Sequence, residues 1–166
     1  MPVAPPFSPW LFLVAALAIA APAGAQTATS TFSANLGGIA KLSFSSSTLS
    51  FPDADPDTVP LISAAGGAIT ITAKARASLA ATVTLTVIAA DDLRSGLDTI
   101  PASALTWIGS GAGFVNGTVS RATPQVVGSW TGSGIRTGTQ TYRFHNSWSY
   151  RTGTYSVSLL YTLVSP

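Results

Sequence analysis

Apolar and polar residues alternate along most of this chain, most cleanly at its end, Gly153–Pro166. Tyr155, Val157, Leu159, Tyr161 and Leu163 occupy every second position, with Ser156, Ser158 and Thr162 between them. A period of two belongs to a β-strand with one face in a core and one in solvent. The pattern predicts a terminal strand that closes the fold beside an early strand. The next clearest run is 79–89, where Leu79, Ala81, Val83, Leu85 and Val87 oppose Thr82, Thr84 and Thr86. Shorter alternations run through Phe32, Ala34 and Leu36; Ala40, Leu42 and Phe44; Ile69, Ile71 and Ala73; Leu105 and Trp107; and Tyr142 and Phe144. Gly, Pro, Ser and Asp clusters separate them, including Pro52–Pro60, which is proline-rich and reads as a surface loop. After the first segment, no stretch repeats with the 3.6-residue period of a helix. The expectation is an all-β chain: a single immunoglobulin-like, Greek-key β-sandwich of about eight or nine strands.

The N-terminus breaks the pattern. Trp10–Ala20 is an unbroken apolar run followed by Ala23-Gly24-Ala25. The run is short for a bilayer span, and small residues two apart suit a processing site. Residues 1–25 are expected to be a signal peptide, and 26–166 one domain with no later membrane-spanning segment. The expected location is outside the cytoplasm.

Charge narrows the partners. Only 8% of residues are charged, and six acids, all Asp, stand against eight Lys and Arg. Lys41, Lys74, Arg76, Arg94, Arg121, Arg136, Arg143 and Arg151 are scattered singly, so no basic stripe is laid out for a phosphate backbone, and nucleic acid is not an expected partner. There is no cysteine, so neither disulfides nor thiol chemistry enters.

Candidate chemistry is sparse. His145 is the single histidine and no Gly-x-Ser-x-Gly elbow accompanies it, so a hydrolytic triad is not expected and the chain reads as a non-enzyme. Asp53, Asp55 and Asp57 alternate on one loop. Such carboxylates can share calcium, which prefers oxygen ligands, or serve as turn caps for their own backbone; the EF-hand glycine and glutamate are absent. Trp130, Trp148 and Tyr150 are candidates for a platform that stacks sugar rings of a cell-wall polysaccharide, with core packing the competing role.

Two pieces of the chain carry a resemblance. The opening, with Phe32, Ala34 and Leu36, then Leu42 and Phe44, then Thr48, Leu49 and Phe51, resembles spore coat protein U-like and chaperone–usher pilin-like domains. So does the close, Gly153-Thr154-Tyr155 leading into alternation through Leu163. The terminal Tyr161-Thr162-Leu163 and Pro166 also resemble the close of bacterial WxL-type surface domains. The pilin likeness implies a bacterial surface subunit whose sandwich is completed by a neighbour's strand. Phe32, Ala34 and Leu36 would then lie in the donated strand, within Thr27–Leu36. Tyr155, Val157, Leu159, Tyr161 and Leu163 would line the acceptor, and the partners would be like subunits or other envelope proteins.

Overall fold

The computed structural model describes residues 31–166. The chain divides into two units, Met1–Ala34 and Asn35–Pro166. The expected signal peptide, Gln26 and Thr27–Ser30 of the expected donor strand lie outside the described residues. Of the first unit, Thr31–Ala34 is described and has no regular structure, with Phe32 almost fully exposed.

The second unit is all-β. Its eleven strands are β1 (Ile39–Phe44), β2 (Leu61–Ser63), β3 (Ile69–Arg76), β4 (Thr82–Ala89), β5 (Leu93–Ser95), β6 (Asp98–Ile100), β7 (Leu105–Ser110), β8 (Gly117–Thr118), β9 (Gln125–Thr131), β10 (Gly134–His145) and β11 (Leu159–Val164). Every pairing between them is antiparallel. One sheet runs β1-β3-β10-β7-β8, with β2 added to the far end of β10; a second runs β11-β4-β9; β5 and β6 form a separate hairpin.

Alternation becomes burial where the strand is central. Val83, Leu85 and Val87 of β4 are fully buried, and Thr84 and Thr86 between them face outward and are half-buried. Ile71 and Ala73 of β3, Trp107 of β7 and Tyr142 of β10 join them in one core fed by both larger sheets. The Trp107 indole donates to the Val115 carbonyl at 2.8 Å, which removes the cost of burying its N–H. Two glycines let large rings lie on the backbone: a β-carbon at Gly117 would overlap the Trp107 ring, and one at Gly138 the Phe114 ring. These strand glycines mark close approach, not weakness.

The structure departs from the pattern at the edges. The strand count is eleven rather than eight or nine, in part because Asp91–Gly96, whose residues suit a turn, enters the β5–β6 hairpin around Gly96. Leu79 is not part of β4; it stands exposed ahead of it. Phe32, Ala34 and Leu36 lie in no strand, and Leu36 is exposed. The terminal strand is shorter than its alternation and starts at Leu159. Tyr155 and Val157 precede it, and there Ser156 exchanges both backbone bonds with Arg94, at 3.0 Å each. The reason is register: β11 pairs with β4 only from Leu159↔Ala89 onward, and upstream the chain follows the hairpin instead. Its partner is therefore the second-clearest strand, not an early one.

Candidate functional site: the edge between β1 and β11

Two strands end the larger sheets on one side. β1 pairs only with β3, and β11 only with β4. The register puts Ala40, Leu42 and Phe44 opposite Ala75, Ala73 and Ile71, so these three face the core. Likewise Leu159, Tyr161 and Leu163 sit opposite Ala89, Val87 and Leu85. Facing the core does not cover them. Leu42, Leu159, Tyr161 and Leu163 are half-buried, Ala40 is exposed and Phe44 is 36% exposed, while their partners on β3 and β4 are buried. The strands meet where the Phe44 and Tyr161 rings pack at 4.8 Å between centroids. Near the other end of β1, the Ser165 hydroxyl donates to the Arg76 carbonyl at 3.0 Å. The outer side of β11 is also apolar, with Leu160 and Val164 more than half exposed. An apolar edge with unpaired backbone is what an incoming strand recognises.

A polar chain runs inward from this edge. The Tyr161 hydroxyl donates to Gln140 Oε1 at 2.6 Å and lies 2.5 Å from the Tyr142 hydroxyl. Tyr161 has one proton, so Tyr142 donates to Tyr161. Burial pushes the Tyr142 hydroxyl far above its ordinary range, and pushes Tyr161 up to about 12 while the bond from Tyr142 acts the other way. Gln140 is fully buried, and its Nε2 has no partner among the described residues. Period two from Tyr142 puts Gln140 on the inward face, a signal present in the sequence. Arg136 Nε and Trp130 Nε1 are buried without partners in the same way.

An ion-paired corner holds the approach to β11. Arg94 Nε donates to Asp91 Oδ2 at 2.6 Å, Arg121 reaches Asp91 and Asp92 at 3.4 Å, and Arg151 pairs with Asp98 at 3.3 Å. The Arg94 bond, followed by the Asp92 amide, lowers the exposed Asp91 carboxyl to about 2.

The remaining candidates are spread out. Asp53, Asp55 and Asp57 are exposed on the 52–60 loop; Asp53 accepts the Ala54 amide and Asp55 the Asp57 amide at 2.9 Å, while the Asp57 carboxylate accepts the Trp148 indole. Among the described residues no three acidic or histidine side chains converge to hold a metal. Trp130 is buried against Phe114 and offers no sugar platform, a correction forced by its inward register opposite Val83. Trp148 is 69% exposed, its indole donating to Asp57 at 3.1 Å. Tyr150 is half-buried and its ring packs on Phe144. His145 is exposed at the end of β10.

Neither protein-family models nor curated proteins give a match to this chain. The reading of the site rests on its own geometry.

Proposed function

We propose that this chain is a non-enzymatic structural or adhesive subunit of the bacterial envelope or cell surface. On this reading it is an immunoglobulin-like, Greek-key sandwich that assembles by β-strand addition. One observation carries it: at the β1–β11 edge, two strands from different sheets turn apolar residues toward the core and leave them half-covered. A strand laid there would pair with open backbone and bury Leu42, Phe44, Leu159, Tyr161 and Leu163. Phe32 and Leu36, exposed and outside any strand, supply the alternating apolar side chains such an insert needs. Size-exclusion chromatography and electron microscopy test this. Deleting residues 26–36 is expected to abolish polymers, and polymers unaffected by the deletion would overturn it.

A second reading is favoured by Trp148, the most exposed tryptophan among the described residues and one held in place by Asp57. It is a glycan-binding module with Trp148 and Tyr150 as contacts. A strictly monomeric protein that sediments with cell-wall polysaccharide, and loses this on Trp148→Ala, would replace the assembly reading.

A further inference from the structure

The eight cations are scattered in sequence, but the sheet gathers three of them. Lys41 on β1 lies directly opposite Lys74 on β3, and Arg76 is two residues further along the same face. All three are exposed on the outer side of the sheet, with Ile39 (59% exposed) opposite Arg76 and Ile135 (65% exposed) opposite Lys74. Together they line a shallow depression of about 260 Å³. Like charges directly across an antiparallel pair repel. Among the described residues none of the three forms an ion pair, and Asp91, Asp92 and Asp98 are engaged by Arg94, Arg121 and Arg151.

The other three acids form the complementary set. Asp53, Asp55 and Asp57 are exposed, form no ion pair among the described residues, and each uses only one carboxylate oxygen in a bond to its own chain. Their loop is tied to the opposite end of the same sheet. The Asn146 amide donates to the Pro60 carbonyl, the Asn146 side chain donates to the Ala54 carbonyl at 2.8 Å, and Leu61 pairs with His145. The patch lies at the Gly134–Ile135 end of β10 and the loop at its His145 end, roughly 33 Å apart at the rise of an extended strand. Within one molecule the two sets are too distant to meet. Arg143 stands apart on the outer face, between Thr106 and Ser63.

We propose that the Lys41–Lys74–Arg76 patch seats the Asp53–Asp57 loop of a second copy of this chain, so that copies associate head to tail. Three carboxylates meet three cations, and exposed Val59 beside the loop meets Ile39 and Ile135. The contact is heterologous, so it propagates from copy to copy instead of stopping at a symmetric dimer. It uses the outer face of β1 and leaves the β1–β11 edge free, so it stands or falls apart from strand addition.

Sedimentation velocity on the purified protein tests it with two charge-reversed variants. One is K41E/K74E. The other is D53K/D57K, which keeps the Asp55 turn bond; circular dichroism and thermal melting check that each is folded. The expected result is self-association of the native chain at 50 mM salt that is lost near 1 M, where screening shortens to about 3 Å. Each variant alone should associate at least roughly tenfold more weakly, and an equimolar mixture of the two should regain association, because each loop then faces a patch of opposite sign. A mixture that stays monomeric overturns the proposal. So does association of the native chain that ignores salt, or a native monomer that instead binds anionic vesicles or an acidic polysaccharide through the same lysines.

Discussion

β4 and β11 are neighbours with the same pattern, yet they are differently buried. On β4, Val83, Leu85 and Val87 are fully buried; on β11, Leu159, Tyr161 and Leu163, lying against β4 and facing the same core, are only half-buried. The side chains are equally apolar. The difference comes from having a sheet neighbour on one side instead of two. Apolar period therefore reports which way a side chain points, while burial depends on what the rest of the chain brings beside it.

The largest expected effect compares the directly opposed pair Leu85 and Leu163. Leu85→Ala empties a closed site and is expected to cost about 3 kcal/mol, whereas Leu163→Ala trims a half-open one and should cost about 1 kcal/mol. Urea midpoints at constant slope measure both. Equal losses would mean that the edge is covered in solution, by a strand or by another copy.

Gly138 tests the closed centre from the other direction. A β-carbon there meets the Phe114 ring, so Gly138→Ala is expected to destabilise by about 2 kcal/mol through overpacking. The same change at Gly37, which has open space around it, should be nearly silent. A silent Gly138→Ala would show that the packing around Phe114 is looser than the geometry requires.

Tyr161 joins the two regions, since its ring lies on the open edge and its hydroxyl reaches the buried Gln140. Tyr161→Phe strands the Tyr142 hydroxyl and Gln140 Oε1 and should cost about 1–2 kcal/mol. The hydroxyl also sets an alkaline limit. Its proton is held up to about 12 in the fold against 10.0 unfolded, so its contribution is complete below pH 10 and falls away as pH rises toward 12. Thermal melts from pH 9 to 12 should fall less steeply for Tyr161→Phe than for the native chain. Parallel curves would remove Tyr161 from the alkaline transition.

Much of the centre was legible in the sequence, and the edges were not, for one physical reason. The 69–73, 83–87 and 105–107 alternations predict β3, β4 and β7 because a two-sided neighbourhood buries whatever faces in. Tyr155 and Val157 continue the same alternation but leave the strand, because backbone pairing with Arg94 competes there and no local signal announces it. The Asp91–Gly96 segment carries turn residues, yet a two-residue reversal at Gly96 and Leu97 is enough to pair three residues on each side. Trp130 reads as core more readily than surface, and its register against Val83 is what decides it. Lys41 and Lys74 look solitary because they are far apart in the chain; only the β1–β3 register makes them neighbours. At the candidate site, the apolar faces of β1 and β11 were visible in the sequence, but their adjacency and the Gln140–Tyr161–Tyr142 chain are products of long-range pairing.

The smallest expected effect lies at the corner that delivers the chain to β11. Asp91, its side chain 42% exposed, is bonded to Arg94, whose backbone exchanges both bonds with Ser156 just ahead of the strand. The carboxyl loses its proton near 2 in the fold and at 3.8 unfolded, so between those values the unfolded chain binds more protons. Stability from this group is therefore complete above about pH 4 and disappears as pH falls toward 2. Exposure and mobile salt keep the contribution small. Asp91→Asn retains an acceptor for the Asp92 amide but removes the charge, so its melting temperature should drop less between pH 5 and pH 2 than that of the native chain. In 1 M salt the two curves should converge. Identical acid slopes at low salt would show that the Arg94 bond does not persist in solution, and the entry to β11 would then rest on its backbone pairing with Ser156 alone.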